Sequence, residues 1–127
     1  MFDLHHDPTS IALINAFAAA KKPLSAVCHG PTVFLKASDT AGESLLKSVT
    51  KITGFSNVEE AQRGRPVPYL LEDELDRVTG GGYVKSETPW GENVVVSKVS
   101  TGSPLITGQN PASASGVGME LLKALGL

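Results

Sequence analysis

The stretch Pro23-Leu24-Ser25-Ala26-Val27-Cys28-His29-Gly30-Pro31 decides how this chain is read. Leu24 to Val27 is apolar, too short for a helix and bounded by Pro23, so it reads as a fully buried strand. It runs straight into Cys28, with a small residue two positions away on each side, Ala26 and Gly30. A helix-compatible segment, Pro31 to Lys36, follows. Strand, sharp turn and helix with small neighbours form the pattern of a nucleophile elbow, which lifts one side chain out of the backbone. A helix N-terminus behind the sulfur is expected to favour the thiolate. The competing reading is a structural cysteine buried at a strand end, because free Cys is among the most buried residue types.

Outward from the elbow, helical and extended segments alternate. Asp7-Pro8 reads as an N-cap and first helical position, and Thr9 to Lys21 as the first helix, with Ile11, Leu13, Ile14, Phe17 and Ala18 as one buried stripe. Lys21-Lys22-Pro23 ends it. Beyond the polar loop Ser38–Gly42, Ser48 to Thr53 is rich in β-formers and reads as a strand. Asn57–Arg63 reads as a helical turn and Tyr69–Arg77 as a helix. Tyr83–Lys85, Asn93–Lys98 and Pro104–Thr107 read as strands, the last two joined by a Thr101-Gly102-Ser103 turn. Asn110-Pro111 opens a final helix with Val117, Leu121, Leu122 and Leu125 on its apolar face. This order predicts a single α/β domain over residues 1–127 with a mainly parallel sheet. The chain opens in a loop and a helix where a doubly wound sheet opens with strands, so the usual N-terminal strands are expected to be missing.

The bulk properties narrow the function classes. The 127 residues are 41% hydrophobic and 19% charged, with net charge -2, a pI near 5.9 and mean hydropathy +0.02. That balance argues against a general nucleic-acid binder, which shows a basic face. No apolar run approaches a membrane span of about 18 residues, and the first residues lack the basic and apolar regions of a secretory signal. One cysteine rules out an internal disulfide and fits a reducing compartment. A cytoplasmic location is expected, with the nucleus left open. His5-His6-Asp7 reads as a helix-entry loop rather than a metal site, since adjacent His point apart. Gly80-Gly81-Gly82 reads as a turn rather than a phosphate loop.

Around Ala26-Val27-Cys28-His29-Gly30-Pro31 the chain resembles the ThiJ/PfpI superfamily, relatives of class I glutamine amidotransferase domains. Four other segments resemble the branch holding the fungal heat-shock glyoxalase III enzymes: Met1–Leu4, Ile52–Glu60, Pro89-Trp90 and Leu105–Ala114. The resemblance implies a flavodoxin-like three-layer sandwich. It also implies conversion of a small 2-oxoaldehyde, methylglyoxal, to D-lactate without glutathione, metal or other cofactor. Related members are described as deglycases or holding chaperones, and the wider family leaves a cysteine-dependent amidase or peptidase open. By the same resemblance Cys28 is the nucleophile, His29 its partner and Glu60 the acid that orients His29, with Glu59 the close competitor. Trp90 is implied as a pocket residue, equally readable as a cap on the core edge. Asn110–Ser113 is a helix start, or support for the cysteine. Family members begin upstream of Met1, in a part that holds a carboxylate near the cysteine and a loop donating to the oxyanion. Loss of such a donor costs on the order of a hundredfold in rate. The chain on its own is therefore expected to be an enzyme of reduced activity, inactive at the extreme, and to fold poorly, dimerise or self-associate through an exposed strand edge.

Overall fold

The structure, a computed structural model, describes residues 1–127. Its centre is a three-stranded sheet in the order β1-β3-β2, with β1 Leu24–Val27, β2 Val94–Lys98 and β3 Pro104–Gly108. β1 runs parallel to β3 with Leu24 opposite Leu105, and β2 runs antiparallel to β3 with Val96 opposite Ile106. The sheet is therefore mixed, not mainly parallel. The Thr101–Ser103 connection is too short for the crossover that a parallel pair needs, so β2 and β3 form a hairpin.

Two other expected strands reduce to one contact. Ile52 and Tyr83 form a single parallel bridge. On either side of it the backbone turns to other partners: the Thr53 amide donates to the Thr107 hydroxyl at 3.1 Å, and the Val49 amide closes a turn on the Leu46 carbonyl.

The helices fall close to their expected places. α1 covers Pro8–Ala19, capped by the Asp7 carboxylate, which accepts from the Ser10 amide at 2.6 Å. α2 covers Asn57–Arg63, α3 Leu71–Thr79 and α4 Ala114–Ala124, the last entered through a 3-10 turn at Pro111–Ser113. The segment after Cys28 is a five-residue 3-10 turn, Gly30–Phe34, rather than an α-helix.

The strand alternation assigns the two faces of the sheet. Leu105 and Leu24 join Ala18 of α1, Phe34, Leu45 and Leu75 in the apolar core. On the opposite face, α4 lies so close to Gly108 that a Cβ there would come within 2.7 Å of Val117. Helices thus cover both faces, and the α/β sandwich holds. Its burial is less complete than the sequence pattern predicts. β1 has β3 on one edge only, so Leu24 is buried while Ser25, Ala26 and Val27 are half-buried. In the α1 stripe Ala18 is buried but Leu13 and Phe17 are exposed. In α4 Val117 is buried, whereas Leu122, and Leu125 at the C-cap, are half exposed. No helix is long and apolar enough to cross a membrane.

Candidate active site

β1 ends where the backbone turns sharply at Cys28, with φ +62, a left-handed value that few non-glycine residues adopt. The turn is held from both sides. The Cys28 amide donates to the Gly108 carbonyl at 2.9 Å, extending the β1–β3 ladder, and the Cys28 carbonyl accepts from the Phe55 amide at 2.9 Å. With both backbone groups satisfied, the strained conformer is fixed by its neighbours. Gly30 sits in the same crowding: a Cβ there would lie 3.1 Å from the Ala26 Cβ, so its neighbour would have to give by a few tenths of an ångström.

From this elbow a line of polar atoms runs outward. Cys28 Sγ lies 3.3 Å from His29 Nδ1, and His29 Nε2 lies 2.5 Å from Glu60 Oε2. The other oxygen of Glu60 accepts from Arg63 Nε at 2.8 Å and Nη2 at 2.7 Å. The His29 ring packs at 4.4 Å on Phe55, and Phe55 meets the edge of Trp90 at 5.4 Å. Cys28, His29 and Glu60, the residues singled out in the sequence, stand together in space. Arg63 and Phe55 were not anticipated. Arg63 reads as an ordinary surface cation at the end of a helix, while its spacing of three from Glu60 is the one sign that the two share a face.

Glu59 points the other way. It is fully buried, and its carboxylate accepts from the Ser56 amide and hydroxyl, the Trp90 amide, and the Gln109 and Asn110 side chains, at 2.8 to 3.1 Å. Burial alone would push this carboxyl up. The hydrogen bonds of Ser56, Asn110 and Trp90 outweigh it, and the group is held below the usual carboxylate range. Glu59 thereby ties α2 to the Trp90 loop and to the end of β3. Asn110 supports the site through Glu59, not through the cysteine.

The thiol does not behave as a short helix behind it would suggest. Burial pushes the Cys28 thiol up; the His29 backbone N–H and Arg63 act downward, while Glu59 and Glu60 act upward. The net direction is up, so the resting sulfur keeps its proton. A five-residue 3-10 turn has too few aligned peptides to reverse that. Activation falls to proton transfer toward His29 Nδ1.

A cleft of about 180 Å³ opens beside His29, lined also by Met1, Phe2, Arg63 and Val67. Trp90 is not among its walls and stacks behind Phe55, its indole N–H donating to Gln62 at 2.6 Å. A larger polar depression of about 420 Å³, lined by Glu72, Asp76, Arg77 and Lys85 among others, shares no residue with this cleft. Lys85 there pairs with Glu72. His5 is buried within reach of the Tyr69 hydroxyl at 2.9 Å and the Thr32 carbonyl at 3.1 Å, while His6 is exposed and accepts from Lys36. The two rings thus serve different partners. No three His, Cys, Asp or Glu side chains converge as metal ligands.

No family model matches the chain. Among curated proteins it is 36% identical to glyoxalase 3 of Candida albicans over 97 residues, which span 72% of this chain and 39% of that protein. It is 30% identical to the glutathione-independent glyoxalase of Saccharomyces cerevisiae over 109 residues, 80% of this chain and 43% of that one. The crystal structure of glyoxalase III from Candida albicans superposes with a TM-score of 0.75 at 26% identity, covering 97% of this chain and 52% of that chain. The chain thus spans about half the length of the relatives it matches, or less.

Proposed function

Because the chain belongs to the ThiJ/PfpI superfamily, in its glutathione-independent glyoxalase branch, we propose that it converts a 2-oxoaldehyde such as methylglyoxal to the 2-hydroxy acid, D-lactate. In reaction class it is a lyase of the D-lactate dehydratase type. The observation that carries this reading is the line Cys28–His29–Glu60 starting from a left-handed elbow.

The chemistry follows from the protonated resting thiol. His29 Nδ1, 3.3 Å away, takes the proton as Sγ bonds to the aldehyde carbon. The aldehyde oxygen takes up a proton, giving a hemithioacetal. A base then removes hydrogen from that carbon, and a proton is delivered to the neighbouring ketone carbon through an enediol. The first carbon is oxidised to a thioester by two electrons and the second is reduced to a carbinol by the same two, so no external redox partner enters. Water cleaves the carbon–sulfur bond, releasing the acid and restoring the thiol. Glu60 is engaged by His29 and Arg63, and Glu59 by its buried donors. Among the residues of this chain His29, in contact with Sγ, is placed to relay protons, and Glu60 holds its ring in place.

D-Lactate formation from methylglyoxal in buffer without glutathione tests the reading. The wild-type chain should yield product and Cys28→Ala none, with His29→Ala reduced about a hundredfold or more. Product no greater than the Cys28→Ala background would sink it. The exposed apolar side chains of α1 and α4 support a second reading, a holding protein for unfolded clients. In that case Cys28→Ala should suppress client aggregation as well as wild type.

A further inference from the structure

We propose that Arg63 is a positioning residue of this site, a fourth member of the line, which clamps Glu60 onto His29. This role rests on the Cys28–His29–Glu60 reading above.

The geometry separates this pair from the other ion pairs along the helices. Arg77–Glu74 and Lys123–Glu120 also stand three residues apart, but their cations are 67% and 63% exposed and their carboxylates about a third exposed. Glu60 is only 11% exposed and Arg63 33%. Exposed pairs are held weakly. Arg77 also sets Nε and Nη2 on one Glu74 oxygen, so what distinguishes Arg63–Glu60 is the shielding of its carboxylate, which lets the fork hold direction as well as charge. Two prongs, Nε and Nη2, fall on Oε1, leaving Oε2 to His29. The carboxylate can then turn only by giving up one partner or the other. The backbone reinforces the placement. Arg63 closes α2, and the Gly64 amide bonds back to the Glu60 carbonyl at 3.1 Å, which fixes the backbone between the two side chains. Arg63 also lines the cleft beside His29.

The groups acting on the Cys28 sulfur come from the elbow and from α2: the His29 backbone N–H and the charges of Glu59, Glu60 and Arg63. The two carboxylates oppose ionisation of the thiol, and Arg63 favours it. Its removal should leave the sulfur facing uncompensated negative charge and leave His29 less firmly oriented.

Alkylation of the single cysteine by iodoacetamide, a neutral reagent, reads this without any turnover. Rates measured across about pH 6 to 11.5 give a midpoint and a plateau. Arg63→Met should raise the midpoint and slow alkylation at neutral pH by roughly tenfold, the equivalent of one pKa unit. Arg63→Lys keeps the charge and loses the fork, so it should keep the wild-type midpoint with a plateau lowered about threefold. Arg77→Met, which breaks an exposed pair, should change neither. A wild-type midpoint in folded Arg63→Met overturns the inference, as does a wild-type plateau in Arg63→Lys; the lysine variant carries the test by itself if the methionine variant does not fold. A chain that forms no D-lactate but shows these shifts refutes the glyoxalase reading alone. An active chain without them refutes the role of Arg63 alone.

Discussion

At Glu59 and Glu60 a helical advance of about 100° per residue sends two neighbouring carboxylates into different surroundings. Glu60 meets His29 and Arg63 at the cleft, and Glu59 meets five donors in the interior. Substitution should therefore split their effects. Glu59→Gln puts an amide nitrogen among groups that already donate, so it should cost about 2–3 kcal/mol in urea unfolding followed by Trp90 fluorescence. Glu60→Gln should cost under about 1 kcal/mol while slowing D-lactate formation. Equal stability losses in the two variants would contradict the assignment. The folded pKa of Glu59 lies below its ordinary value of 4.5. Its stabilising contribution is thus complete above that pH and is lost as pH falls through the lower, folded value. Melting temperature should drop more steeply below about pH 4.5 in wild type than in Glu59→Gln.

At the scale of elements, α2 shows what the sequence disclosed and what it did not. Ser56 and Glu59 form a capping box: the Ser56 hydroxyl accepts from the Glu59 amide at 3.3 Å, and the Glu59 carboxylate accepts from the Ser56 amide at 3.0 Å. The Ser-x-x-Glu spacing carries this signal but went unread, because two adjacent acids at a helix start look equally like solvated surface, and only the packing tells them apart. Ser56→Ala should cost about 1–2 kcal/mol in urea unfolding. It should also weaken the Cys28 chemistry, because Glu60 leaves from the same first turn. Unchanged stability in that variant would mean the cap does not hold α2 in place. The elbow was legible because crowding at Cys28 demands small residues at Ala26 and Gly30. The turn between β2 and β3 was legible because Gly102, at φ +85, marks it, but the antiparallel pairing that so short a turn imposes was missed. The Ser48–Thr53 strand was misread because β-propensity says which backbone prefers to extend, not which partner stands beside it, and Thr53 turns to a hydroxyl. Arg63 stayed hidden because only the tertiary position of His29 turns a helix-surface ion pair into part of a site.

Over the whole molecule, helix propensity and burial part company. α1, Pro-Thr-Ser-Ile-Ala-Leu-Ile-Asn-Ala-Phe-Ala-Ala, contains no charged residue, and its Leu13 and Phe17 combine with Ile14 and Leu24 around an apolar hollow of about 150 Å³. On the other side of the sheet Met119 and Leu122 of α4 and Leu125 at its C-cap are 50–58% exposed. Between these two faces runs the outer edge of β1, with no strand bonded to it. Each such side chain gains about 1.5–3 kcal/mol when fully covered, and an unpaired edge offers backbone groups in register for pairing. Together they predict that the chain associates with itself at micromolar concentration, seen as a mass above 13.3 kDa in light scattering. Leu122→Glu with Leu125→Lys should lower that mass toward the monomer. Both positions are exposed, so the pair should alter folding stability by less than about 1 kcal/mol. Cys28→Ala should leave the association unchanged, because the elbow lies at the end of β1 rather than along its outer edge. A wild-type chain that stays monomeric as its concentration rises, and melts in one sharp transition, would show that these apolar faces are stable in water without a cover.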